Sequence, residues 1–196
     1  MIASIAILAG GRSSRMGTDK SFVRVLGVPM VERVLAQVQG LGAETLLVTN
    51  SPGDYAYLGL PLYTDVIPGA GALGGIYSAL HYAAHPHVLV VACDMPFLSR
   101  PLLAYLLELA PHFDVVVPRA AEGVEPLHAV YGKACLEPIR RRLDAGRYKV
   151  IGFYDDVRVR YVDEAELREY DPRLRSFVNV NTPEEAAAAK EERGAS

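Results

Sequence analysis

Between Gly10 and Lys20 the chain reads Gly10-Gly11-Arg12-Ser13-Ser14-Arg15-Met16-Gly17-Thr18-Asp19-Lys20, three glycines and three cations interleaved with hydroxyls. Glycine lets a backbone turn sharply and bring its N–H groups close to a ligand. Successive N–H groups in such a turn form an anion-binding concavity, and Arg or Lys adds fixed positive charge. The chemistry these residues offer is phosphate binding. A Walker A loop does not fit, because Gly11 and Gly17 are six apart and Thr18 follows Gly17 where a lysine is required. The dinucleotide fingerprint G-x-G-x-x-G does not fit either, since Gly10 and Gly11 are adjacent. An ordinary Gly/Ser turn is the plain alternative; the density of cations favours phosphate.

Acidic and amide side chains recur at the ends of apolar runs. Thr45–Thr49 stops at Asn50, Leu60–Thr64 at Asp65, and His87–Cys93 at Asp94-Met95-Pro96. A polar residue after a strand is usually a turn or cap residue. Asp94 departs from that pattern most, because its carboxylate follows so apolar a run directly. A hard carboxylate beside phosphates is how Mg²⁺ is commonly held.

These residues need a scaffold. Ile5–Leu8 and the runs ending at Thr49, Thr64, Cys93 and Pro118 read as buried strands. Helical spacing falls between them: Val31 to Val38, a Gly-rich turn at 68–75 opening a helix to about Ala84, and Leu102 to Leu107 with Ser99 as its cap. Continuous apolar strands alternating with helices indicate a mainly parallel sheet covered on both faces. The right-handed crossover rule makes it a doubly wound α/β sandwich. In such sheets ligands bind beyond the carboxyl ends of the strands, which is where the loop, Asn50, Asp65 and Asp94 all fall. Further on, Pro126–Tyr131 and Val157–Val162 alternate as strands, Lys133–Leu143 and Asp163–Tyr170 read as helices, and Thr182-Pro183-Glu184-Glu185 starts a C-terminal helix.

Composition narrows the partners. A 196-residue chain with 51% hydrophobic and 22% charged residues fits one soluble domain. The net charge of −3 gives no basic field for nucleic acid. No apolar run approaches the ~18 residues of a membrane span and no leader pattern opens the chain, so the expectation is a cytoplasmic protein without membrane contact. Cys93 and Cys135 have no paired spacing, and Cys93 reads as packing. His81 and His85 sit at i, i+4 on the expected helix, without an acidic partner near in sequence. Arg140-Arg141-Arg142 reads as a solvated helix face, with attraction of an anionic phosphate or a partner as the sharper alternative.

Taken together, Leu8–Lys20 resembles the LAGGxSxRMGxDK signature of the molybdenum cofactor guanylyltransferases. Four further stretches agree in order: Asp65 with Gly71–Leu80, Cys93–Leu98, Glu125–Tyr131, and Phe177–Pro183. The resemblance implies a Rossmann-like three-layer sandwich of the nucleotide-diphospho-sugar transferase type, as a single nucleotidyltransferase domain over 1–196. Its nucleotide-binding part would be about 1–118 and its pterin-side part about 119–196.

The same resemblance implies transfer of GMP from Mg-GTP to molybdopterin, or to the molybdenum-bearing cofactor, with release of pyrophosphate. Leu8, Ala9, Gly10 and Gly11 would then hold guanine and ribose through backbone atoms, with Asn50, Asp65 and Gly71 also on the nucleotide. Lys20 would contact phosphate, Arg15 would stabilise the leaving group, and Asp94 would hold Mg²⁺. Glu125, His128, Asn179 and Asn181 would lie towards the pterin. Other cofactor-biosynthesis proteins and acceptor enzymes are the implied protein partners. One departure stands out: Gly71-Ala72-Leu73 replaces the family's Gly-Pro-Leu. The rival readings are a cytidylyltransferase on molybdopterin or a sugar-like phosphate, and a nucleotide-sensing module without catalysis. Gly10 stands where cytidylyl relatives carry alanine, and retention of both Lys20 and Asp94 favours catalysis.

Overall fold

A computed structural model describes residues 2–10, 20–180 and 185. The expected helix from Thr182 lies outside the described residues. In chain order the elements are β1 (Ser4–Leu8), β2 (Arg24–Val25), β3 (Val28–Pro29), α1 (Met30–Val38), β4 (Glu44–Val48), α2 (Pro52–Tyr55), β5 (Leu62–Tyr63), α3 (Gly71–Tyr82), β6 (His87–Ala92) and α4 (Arg100–Leu109). They continue as β7 (Val115–Ala120), β8 (Gly123–Val124), β9 (His128–Gly132), α5 (Leu136–Asp144), β10 (Val159–Asp163) and α6 (Glu164–Tyr170).

The main sheet has the order β10-β7-β9-β6-β1-β4-β5, with β8 attached to β7. Along that path β9 alone runs against the rest. Successive strand residues point to opposite faces, and the core divides accordingly. Ile5, Ile7, Leu89, Val91 and Val130 pack with Val31 and Val34 of α1, Leu102 and Leu106 of α4 and Leu167 of α6. Ala6, Leu46, Val88, Val90 and Tyr131 pack on the other face with Leu73, Ile76 and Leu80 of α3 and Ile139 of α5. Helices on both faces of a mostly parallel sheet make the three-layer, doubly wound arrangement. Ser99 caps α4, its hydroxyl accepting from the Leu102 N–H at 3.4 Å.

Three local features differ from the sequence expectation. β9 is as buried as its parallel neighbours, so its residues give no sign of its direction. The interval between Ala120 and His128 is too short for a crossover helix, and this forces the reversal. Residues 24–29 form a hairpin, β2 with β3, that the sequence pattern does not signal and that runs directly into α1. Its turn puts Leu26 at φ 54° and Gly27 at φ 84°, a leucine where asparagine or aspartate would have signalled it. α3 ends at Tyr82, not Ala84. His85, immediately before Pro86, is disfavoured in helix, so His81 and His85 do not share a helical face.

Candidate active site

The sheet register brings the sequence-distant residues to one edge. Leu8 stands level with Val48 and with Ala92, and Val48 with Tyr63. The residues that follow these strand ends, Gly10, Asn50, Asp65 and Asp94, therefore emerge side by side. Since β9 runs the other way, its beginning lies at this edge, with His128 level with Val91. Glu125, Pro126 and Leu127 thus approach the strand ends from the far side. The turn they form is anchored by Glu125 N–H to the Pro118 carbonyl at 3.0 Å and by the Tyr131 hydroxyl donating to the Pro126 carbonyl at 2.7 Å. A cavity of about 720 Å³ opens along the edge, lined among others by Gly10, Lys20, Asn50, Asp65, Gly71 and Asp94. Pockets of this size take a nucleotide-sized ligand.

At the end of β1 the backbone is partly committed. The Ala9 N–H donates to the Val48 carbonyl at 3.0 Å, and the Cys93 N–H to the Leu8 carbonyl at 3.1 Å. The chain then turns through Gly10 at φ +98°, a conformation that strains any side-chain-bearing residue. A Cβ there would meet Thr49 Oγ1 at an ordinary 3.5 Å, so backbone conformation rather than lack of room calls for glycine. Gly75 answers to space instead: its Cβ would stand 3.0 Å from Leu8 Cδ1, and its absence lets α3 lie close against β1.

Asn50 and Asp65 grip each other. Asn50 Nδ2 donates to Asp65 Oδ2 at 2.8 Å, and the Asp65 N–H donates to Asn50 Oδ1 at 3.2 Å. Ser78, on α3, is fully buried and stands behind them, its hydroxyl accepting from the Val66 N–H at 3.0 Å.

Asp94 is partly buried, and that burial raises its pKa above the ordinary carboxylate range, opposed by its own backbone N–H and by the Lys20 ammonium. Glu125 is shifted the same way, first by burial and then by the like charges of Glu122 and Asp94. Two carboxylates at one edge, both penalised for their charge, make a place where a cation lowers the energy. Among the described residues no group of three or more His, Cys, Asp or Glu side chains could form a complete metal cage. One carboxylate with the remaining positions left to phosphate and water is the donor set that suits Mg²⁺. Beneath Asp94, Ser21 Oγ and Cys93 Sγ touch at 2.9 Å, so Cys93 packs at the cavity wall.

On the far side the His128 ring is fully buried, in edge contact with Phe177 at 5.1 Å, and neither ring nitrogen has a hydrogen-bond partner. Burial pushes its pKa down to about 4, against a smaller opposing pull from Asp171. Asn179 is exposed, one residue before Val180, whose N–H donates to the Asp94 carbonyl at 2.9 Å. Gly11, Arg12, Arg15 and Asn181 lie outside the described residues. Away from the edge, Arg140 pairs with Asp144 at 2.8 Å and Arg141 with Glu137 at 3.9 Å on an exposed helix face. Sequence reasoning missed Thr49, Ser21 and Gly75, which line the cavity, and Ser78 behind it. A lone hydroxyl or glycine gives no signal of its own, because such residues are as common in turns and packing as in sites.

A family model described as a MobA-like NTP transferase domain matches residues 5–158. A relative from Pelotomaculum thermopropionicum, named probable molybdenum cofactor guanylyltransferase, is 42% identical over 188 residues, covering 96% of this chain and 92% of its own length. Another from Desulfosudis oleivorans, named molybdenum cofactor guanylyltransferase, is 41% identical over 186 residues, covering 94% and 92%. Among solved structures, molybdopterin-guanine dinucleotide biosynthesis protein A from Archaeoglobus fulgidus is similar with a TM-score of 0.84 at 27% identity, over 97% of this chain and 98% of that one.

Proposed function

We propose, from the premise that this chain belongs to the MobA-like NTP transferase family, that its edge cavity transfers GMP from GTP to the terminal phosphate of molybdopterin or of its molybdenum-bearing form, releasing pyrophosphate. The chain is a nucleotidyltransferase enzyme with a role in molybdenum-cofactor biosynthesis. The observation that carries the finer reading is the meeting of Gly10, Lys20, Asn50, Asp65 and Asp94 on one cavity.

The nucleophile needs little help. A phosphate monoester has its second pKa near about 6, so it is largely dianionic at neutral pH and requires no general base. Catalysis is then positioning and charge neutralisation. Residues 8–11 and the Asn50–Asp65 pair hold the base and ribose. Lys20 meets the phosphates, and Arg15 stabilises the departing pyrophosphate. Asp94 is the ligand for Mg²⁺, which when bound supplies Lewis-acid polarisation of the phosphates. Glu125, Asn179 and Asn181 form the pterin side, while His128, wholly buried, belongs to the packing of that side, so residues 1–118 serve the nucleotide and 119–196 the acceptor within one domain.

The test is pyrophosphate release from each of the four nucleoside triphosphates with Mg²⁺ and molybdopterin. Product from GTP alone is expected. Equal use of CTP would overturn the base assignment, and no product from any nucleotide would leave a sensing module in its place.

A further inference from the structure

We infer that Ser78 is a positioning residue for nucleotide binding, acting through Asp65. This rests on the reading of the cavity as a nucleotide site. Ser78 lies in an otherwise apolar stretch of α3, between Ile76 and Ala79–Leu80, and is wholly removed from solvent. Its hydroxyl donates to the Gly74 carbonyl one turn back at 2.7 Å, a bond that helix serines commonly make. What is uncommon is the other side of the oxygen. It accepts from the Val66 N–H at 3.0 Å, twelve residues away in sequence, and stands 3.4 Å from Asp65 Oδ1.

That location matters because little else holds the chain there. β5 is two residues long and ends at Tyr63, so Asp65 and Val66 lie beyond the last strand bond. Asn50 ties Asp65 from the β4 side through both its backbone and its carboxylate. Ser78 ties the next peptide from the helix side and stands against the other carboxylate oxygen. Asn50 thereby holds the carboxylate and Ser78 the peptide that follows it, which aims Asp65 at the cavity wall with lone pairs to spare, since two oxygens offer about four acceptor sites. Alanine in place of Ser78 would fit the same space but leave the Val66 N–H without its acceptor, freeing Asp65 to turn.

The experiment measures the Kd of Mg-GTP by calorimetry, without the second substrate, alongside KM and kcat and thermal melting. Ser78→Ala is expected to raise Kd and KM about tenfold while kcat changes less than about threefold. Ser78→Thr, which keeps the hydroxyl, is expected to restore binding. If threonine is too bulky to fold, the double variant Ser78→Ala with Asn50→Ala decides: two residues that act by placing the same Asp65 give effects well short of multiplicative. A Ser78→Ala protein that melts earlier but binds Mg-GTP within about twofold of wild type, or multiplicative effects in the double variant, would overturn the inference. Absence of Mg-GTP binding by the wild-type protein would instead bring down the nucleotide reading itself.

Discussion

The Val180 N–H donates to the carbonyl of Asp94 at 2.9 Å, joining the far end of the described chain to the residue proposed as the metal ligand. Val180 itself is buried beside Val25 and Met30, so the bond is held by packing on a third part of the chain. Removing the donor leaves the Asp94 turn unsupported on one side. Val180→Pro is expected to lower turnover about a hundredfold, the cost of a small misplacement at a reacting centre. Its Kd for GTP should stay within about threefold, because the residues proposed to hold the base follow the other strand ends. Single-turnover kinetics beside equilibrium binding checks both.

Asp94→Asn should separate activity from stability. Burial raises the folded-state pKa of Asp94 above its unfolded value, so at neutral pH its charge, partly stripped of water in the fold, is a cost that unfolding relieves. The amide carries no such cost. Melting at pH 7 is expected to rise by about 2 °C, while pyrophosphate release falls below detection and Mg-GTP no longer raises the melting temperature. In the wild type, the acid limb of the pH–rate profile should lie above the ordinary carboxylate range.

His128 predicts an acid-sensitive fold. Its folded pKa, pushed down to about 4 by burial, lies below the ordinary unfolded value of about 6.5. The unfolded chain therefore takes up a proton that the folded chain refuses, and stability is lost as pH falls from about 6.5 towards 4. At pH 4 this group's share is on the order of 3 kcal/mol. Urea melts of His128→Leu across that range should show a slope flatter by about that amount. At pH 7 the variant should be at least as stable as the parent, because the unpaired ring nitrogens are gone.

Ala72 lies in the first turn of α3 and is exposed at the cavity rim. N–H groups there have no acceptor within the helix, so proline is tolerated. Ala72→Pro is expected to stabilise the protein by about 0.4–1 kcal/mol through the unfolded chain, and to leave kcat unchanged. Chemical denaturation beside steady-state assays reads both.

Much of this site was legible because its residues sit where chain direction is forced. A strand that ends abruptly puts its next residue at the sheet edge, so Asn50, Asp65 and Asp94 could be grouped before any coordinates. What stayed hidden depends on partners far away in sequence. The direction of β9 follows from loop length rather than from its own buried residues. Ser78 looks like a small filler until the Val66 amide is seen on its oxygen. The Leu26-Gly27 turn lacks the asparagine or aspartate that announces a tight hairpin. The solitude of the His128 ring emerges only once Phe177 covers it.

Because β9 is wedged between β6 and β7, a ribosome that has delivered only residues 1–120 has made two apolar strands whose facing edges lack a partner. Bare edges of that kind recruit strands from other chains, and nascent proteins are most exposed to this while synthesis is incomplete. Residues 128–132 act as a late-arriving seal. Expressing residues 1–120 alone would yield aggregate rather than a folded fragment, and chaperone demand should fall once the seal has left the exit tunnel and end once β10 has covered the other edge of β7.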